Sequence, residues 1–289
     1  MIRSLKQEGY SVSQVCKVLK LPESSYYRRA SEQIKAKKIS DKKVAGIEQE
    51  ASLLEKIKTI KANHLFWGYR RVRAYLKRKL GISVSYKRVY RLMKKNDLLV
   101  ERKRYKAKRT PQKDKPKPVK SNQWWGTDMT KFYINSFGWA YLVVVLDWYS
   151  KKIVGYKLNI RSKAEDWIDA LNMAVDNNCP LGSREYDLNL MSDNGAQPTS
   201  EKYEKASKLF GIKHITTSYS NPKGNADTER FMRTLKEEII YPNEFNSFEE
   251  AKDEVDNFIA FYNHDYPHSS LGYLSPIEFE KLNNYKNVA

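Results

Sequence analysis

Between residues 101 and 121 the chain reads ERKRYKAKRTPQKDKPKPVKS, with ten Lys and Arg, three prolines and almost no apolar side chain. Such a stretch cannot bury enough surface to offset the entropy of ordering it, so it packs no core of its own. It divides the 289 residues into parts that must each build a separate interior. Its prolines favour extended backbone and its charges repel one another, as suits a spacer that tracks along a polyanion or a solvated tether.

The two parts differ in charge. Residues 1–120 carry 35 Lys and Arg against 10 Asp and Glu, an excess of 25, whereas the remainder carries 18 against 24, a deficit of 6. A basic excess on one part of a chain is the electrostatic footprint of a polyanion partner, because Lys and Arg displace counterions from phosphate backbones. Nucleic acid leads, with a generally basic protein or one that touches anionic membrane as the alternative. Two cysteines far apart, Cys16 and Cys179, and the lack of a long apolar run predict a reducing, cytoplasmic setting without a membrane span.

Within the basic part, residues 11–30 place Val15, Val18 and Leu19 at helical spacing, followed by Leu21-Pro22 and a polar helix start at Glu23-Ser24. The pattern predicts a helix-turn-helix whose second helix offers Ser24, Ser25, Tyr27, Arg28 and Arg29, with a helical connector reaching residue 50. A second instance occupies 51–100. There Val72, Tyr75, Leu76 and Leu80 share one face, Gly81-Ile82-Ser83 breaks the helix, and Ser85 caps a further helix whose Val89, Leu92 and Met93 point inward. Its outer face keeps Lys87, Arg88, Arg91 and Lys95.

Beyond the spacer the periodicity changes to strands. Residues 125–132, 141–146 and 151–158 predict three adjacent strands, 188–191 a fourth and 214–218 a fifth, with helices at 164–175, 200–210, 225–239 and 248–263. This order predicts an α/β domain over 122–240, a mixed five-stranded sheet flanked by helices as in ribonuclease-H-like folds, preceded by all-α helix-turn-helix segments. A helical extension follows over 241–289.

Three acids stand where that topology converges: Asp128 in the first strand, Asp193 after the fourth, and Glu229 near the start of a helix. Carboxylates crowded beside a phosphate repel it and each other. A divalent cation removes the conflict, and oxygen-only ligands suit Mg²⁺ or Mn²⁺, with two ions roughly 3.5–4 Å apart serving an in-line phosphoryl displacement. On the helix, Phe231, Leu235 and Ile239 form a buried stripe, while Glu229, Arg233 and Lys236 share the opposite face. Spacing alone leaves Glu229 and Arg233 equally readable as a surface ion pair. Asp147 reads as a turn residue and Asp227 as a helix cap, and the four histidines lack metal-ligand spacing.

These motifs resemble the OrfB-type transposases of bacterial insertion sequences, whose core is like that of retroviral integrases. WGTDMTKF (125–132) is similar to the family's first-aspartate strand, LMSDNGAQ (190–197) to its second, and GNADTERFMRTLKEE (224–238) to its glutamate helix, with thirty-five residues between Asp193 and Glu229. FWGYRRVRAYL (66–76) and KRVYRLMKKNDL (87–98) resemble its helix-turn-helix, and residues 258–279 its C-terminal signature. Tyr266 stands where the family usually has arginine, and ADT precedes Glu229 in place of the commoner asparagine-containing form.

The resemblance implies a catalytic, metal-binding triad of Asp128, Asp193 and Glu229, with Lys236 and Arg233 toward the DNA end and Arg70, Arg71, Lys87, Arg88 and Arg91 on duplex. It implies Mg²⁺ or Mn²⁺, two ions per site, DNA with terminal inverted repeats, target DNA, a homo-oligomer on DNA and a bacterial, nucleoid-associated setting. In that family the working form is often a frameshift fusion to an upstream frame, which would make Met1 an internal start. The rival expectations are a DNA-binding protein without chemistry, or a decayed element, and a ribonuclease-H-like nuclease that only hydrolyses.

Overall fold

A computed structural model of the chain describes residues 9–100, 116–217 and 225–286, so most of the basic spacer lies outside the described residues. The chain forms two compact units, residues 1–60 and 61–289.

In the first unit, helix α1 (Val12–Val18) starts at a capping box: Gln14 N–H donates to the Ser11 hydroxyl at 3.2 Å, and Ser11 N–H donates to the Gln14 side chain at 3.1 Å. Each satisfies a backbone donor that a helix start leaves open. Val15 and Cys16 are buried, but Val18 is 81% exposed. The inward stripe is therefore Val12, Val15, Cys16 and Leu19, a better match to 3.6 residues per turn than a stripe through Val18. After a turn at Lys20, whose φ is +51°, helix α2 (Glu23–Asn63) runs 41 residues. Residue 50, where the sequence suggests a boundary, lies inside this helix.

The second unit opens with helices α3 (Tyr69–Lys79) and α4 (Tyr86–Lys95). Between them Gly81 takes φ +67°, and the Ser85 hydroxyl accepts the Arg88 N–H at 3.3 Å. Val72, Ala74 and Leu76 on α3 and Val89, Leu92 and Met93 on α4 are buried, whereas Leu80, past the helix end, is 47% exposed.

Five strands follow: β1 (Trp124–Ile134), β2 (Gly138–Asp147), β3 (Ile153–Asn159), β4 (Asn189–Ser192) and β5 (Lys213–Thr216). They form one sheet in the order β3-β2-β1-β4-β5, antiparallel across the first three and parallel from β1 to β4 and β4 to β5. Helix α5 (Ala164–Asn178) lays Trp167, Leu171, Ala174 and Val175 over one face, against Trp125, Val143, Val145 and Leu190. Each large apolar side chain buried this way contributes ~1.5–3 kcal/mol. Gly155 permits the close approach, because a Cβ there would come within 2.1 Å of the Ala170 carbonyl oxygen.

Helix α6 (Glu201–Leu209) packs beside α5 and β5. Helix α7 (Ala226–Leu235) covers the other face of β1. Helix α8 (Phe248–His264), capped by Ser247, and α9 (Pro276–Lys286) complete the unit. Among the described residues no helix is long and apolar enough to cross a membrane.

Candidate active site

The parallel register sets the first two acids side by side. Gly126 lies opposite Met191, so continuing two residues along each chain brings Asp128 level with Asp193, one residue beyond β4. Neighbouring strands lie about 4.8 Å apart. Alternation along β1 puts Asp128 on the face shared with Gly126, where α7 docks. That docking is close: a Cβ at Gly126 would come within 2.2 Å of the Thr228 hydroxyl, 2.3 Å of the Trp148 indole nitrogen and 2.7 Å of the Asn225 side-chain oxygen.

Three polar contacts hold the start of α7 there. The Trp148 indole donates to the Thr228 hydroxyl at 3.2 Å, the Asn225 amide donates to the Thr127 carbonyl at 3.0 Å, and Lys151 pairs with Asp227 at 2.9 Å. Asp227, read from the sequence as a cap, lies in the first turn two residues past the N-cap residue Asn225 and is ion-paired with Lys151. Asn225, Trp148, Thr228 and Lys151 escape a reading of the sequence. The available signal was Gly126, since a lone glycine inside a strand marks close approach of another element.

The electrostatics converge on Asp128. Burial pushes its carboxyl up to about 6, and the negative charges of Asp193 and Glu229 push the same way, against the Met129 N–H and the Lys236 ammonium. The Met129 N–H donates to Asp128 Oδ1 at 2.8 Å, and the Gly195 N–H to Asp193 Oδ1 at 3.1 Å. Asp193, Glu229 and Arg233 are exposed and Lys236 is half-buried. Arg233 also acts on Glu237, whose carboxyl burial raises. Phe231, Leu235 and Ile239 are buried beneath this face, together with Thr228 and Met232.

The helix does not continue uniformly. From Lys236 to Ile240 it widens into a π turn, in which Tyr241 N–H donates to the Lys236 carbonyl at 2.8 Å. π turns inside helices concentrate at functional sites.

Among the described residues no group of three or more His, Cys, Asp or Glu side chains is close enough together to hold a metal ion. The donor chemistry nonetheless fits a hard divalent cation: the three acids supply carboxylate oxygens only, and the charge they concentrate on Asp128 is what a cation would relieve. Asp147 is fully occupied as a turn acceptor, taking N–H groups from Asn122, Tyr149 and Ser150 at 2.7–2.9 Å.

On the helix-turn-helix, Arg70, Lys87 and Arg91 are exposed and Arg88 is half-buried. The Arg71 guanidinium lies over the Tyr266 ring at 4.8 Å and the Trp67 ring at 5.7 Å, and that of Arg70 over the Tyr69 ring at 5.7 Å. Tyr266 is itself buried. Arg78 pairs with Glu278 at 3.0 Å and Lys79 with Asp265, so one side of α3 is tied to the C-terminal extension.

Family comparisons agree with this architecture. Profiles described as Integrase core domain match residues 118–222 and 210–276, and one described as HTH-like domain matches 48–106. The chain is 30% identical over 286 residues to the InsK transposase of insertion sequence element IS150 from Escherichia coli, covering 94% of each. It is 32% identical over 245 residues to the transposase of IS904 from Lactococcus lactis, covering 80% of this chain and 94% of that one. Among solved structures, a chain of the simian T-cell lymphotropic virus intasome shares the fold with a TM-score of 0.50 at 16% identity, over 72% of this chain and 74% of that one. Identity sustained along nearly the whole length, on an integrase core behind a helix-turn-helix, means that the chain belongs to the insertion-sequence transposases, DNA-transferring enzymes of the integrase type.

Proposed function

We propose that this transposase grips terminal inverted repeats, cuts at the element end and joins the freed 3′ hydroxyl to a phosphodiester of target DNA, as a homo-oligomer assembled on DNA. The observation that carries the reading is that Asp193, Glu229 and Lys236 all act on the half-buried carboxyl of Asp128. Asp128, Asp193 and Glu229 would hold Mg²⁺ or Mn²⁺, two ions per site. The metal, when bound, would activate the attacking oxygen and stabilise the leaving one.

The chain's own residues position the DNA. Lys236 and Arg233 sit on the acid-bearing face and neutralise phosphate near the cut, while Arg70, Lys87 and Arg91 hold the duplex from the exposed face of the helix-turn-helix. In cleavage, water adds to phosphorus and the bond to the 3′ oxygen breaks; in joining, that 3′ hydroxyl adds to a target phosphorus and one target phosphodiester opens. One bond forms for each that breaks, so no outside energy source is needed.

The test uses a labelled duplex carrying the element's own end, with Mg²⁺ or EDTA. Wild type gives metal-dependent joined product, and Asp193→Asn gives none. Mg²⁺ raises the Tm of wild type and leaves that of Asp128→Asn where it was. Hydrolysis without joining would favour a simple nuclease. Binding without any product, in this chain and in a fusion to the upstream frame, would leave a DNA-binding protein without chemistry.

A further inference from the structure

The π turn that follows the acid-bearing helix is clamped by the helix-turn-helix domain through one buried carboxylate. Glu238, two residues after Lys236, has a side chain only 4% exposed. Both of its oxygens are taken by residues just ahead of α3: the Trp67 indole donates to one at 2.8 Å and His64 Nδ1 lies 2.9 Å from the other. Those rings are themselves fixed. His64 stacks on Trp67 with centroids 3.8 Å apart and planes at 6°, and Phe261 of α8 lies parallel on the imidazole at 5.2 Å. Beneath them the buried Lys61 ammonium donates to the Trp67 carbonyl at 3.2 Å and to that of Leu65.

A buried carboxylate of this kind is an expensive way to join two surfaces. Well-packed apolar residues of similar volume usually do so at equal or lower cost, whereas ionic and hydrogen-bonded pairs are directional and define register. The register here is that of the turn carrying Lys236, whose ammonium acts on Asp128. The segment leading into α3 and the π turn that follows α7 thus meet at Glu238.

We infer that Glu238 is a positioning residue: by clamping the π turn to His64 and Trp67, it couples duplex binding on the helix-turn-helix to the alignment of Lys236 at the carboxylate cluster. The inference rests on the proposed role of Lys236 at the DNA end. It assigns no contact between Glu238 and the substrate.

The test compares, in the full chain, wild type, Trp67→Phe, Glu238→Gln and the double variant Trp67→Phe/Glu238→Leu. Trp67→Phe keeps a stacked ring and deletes the indole donor. The double variant removes the indole donor together with its acceptor, so that His64 Nδ1 is the group left without its Glu238 partner. Hydrogen exchange of residues 236–241 is read against that of β2. The expected result is ~10-fold or greater loss of protection confined to 236–241 in Trp67→Phe and the double variant, with Glu238→Gln intermediate because it keeps an acceptor for the indole. Equal loss in β2 would mark a merely structural contact and overturn the inference, as would unchanged exchange in all three.

On a terminal-repeat duplex at saturating concentration, kcat falls ~10–100-fold in the double variant while Kd stays within about twofold. Loss of binding with kcat intact overturns the coupling. Absence of product from wild type would fail the transposase reading on its own control, and the exchange experiment would still decide whether Glu238 holds the turn.

Discussion

His268 shows how far one residue's surroundings can override its chemistry. It lies near Lys151, Arg71 and Arg230, opposed by Asp227, its Nδ1 is 2.9 Å from the Ser270 hydroxyl, and burial with the nearby cations pushes its pKa down to about 4. A histidine held below its unfolded value binds fewer protons folded than unfolded, so its contribution is complete above about 6.5 and is lost as pH falls toward 4. Urea unfolding at pH 7.5 and 5.0 should therefore show wild type losing ~1–2 kcal/mol more than His268→Asn over that interval. Equal losses would mean that the imidazole is solvated. Nothing in the sequence distinguishes this histidine from the other three, because its environment is assembled from α7, α3 and the loop after β2. Asp128, Asp193 and Glu229 could be picked out at this scale because they stand in motifs of fixed order; the burial that raises Asp128's proton affinity could not.

At the scale of elements, the position of Glu229 depends on how closely α7 sits on β1, and Gly126 sets that distance. Any side chain there meets Thr228, Trp148 and Asn225 at once. Gly126→Ala should push the start of α7 outward, break the Trp148 to Thr228 hydrogen bond and cut cleavage ~100-fold, the penalty of displacing a catalytic group by about 1 Å. Far-UV circular dichroism should stay near wild type, because the sheet and α5 on its other face are untouched. Activity within a fewfold of wild type would show that α7 tolerates the shift. The amphipathic stripe of this helix was readable from 3.6-residue periodicity, as was Ser85 from cap chemistry. Its change to a π turn at Lys236 was not; that turn carries Glu238, whose partners His64 and Trp67 lie more than 170 positions away.

For the whole molecule, the basic excess of residues 1–120 predicts DNA affinity that falls steeply with salt. The structure divides that charge into groups that face solvent and groups that hold the molecule together. Lys87→Ala and Arg70→Ala should each weaken binding across sequences and reduce the salt slope by ~1. Arg71→Ala should lower Tm and leave the slope unchanged, since its guanidinium lies on Trp67 and Tyr266. Titrating fluorescence anisotropy against salt separates the two outcomes, and a reduced slope for Arg71→Ala would return it to the DNA face.

The sequence by itself determined the type and order of the elements, the mixed sheet and the acids at its centre. Each follows from local periodicity, turn chemistry or residue type within a short window. Tertiary structure decided which arginines lie on buried rings, which polar groups anchor α7, and how the helix-turn-helix is joined to the turn after the acid-bearing helix. Those outcomes depend on pairs such as Trp67 with Glu238 and Arg71 with Tyr266, far apart along the chain and adjacent only once the unit has packed.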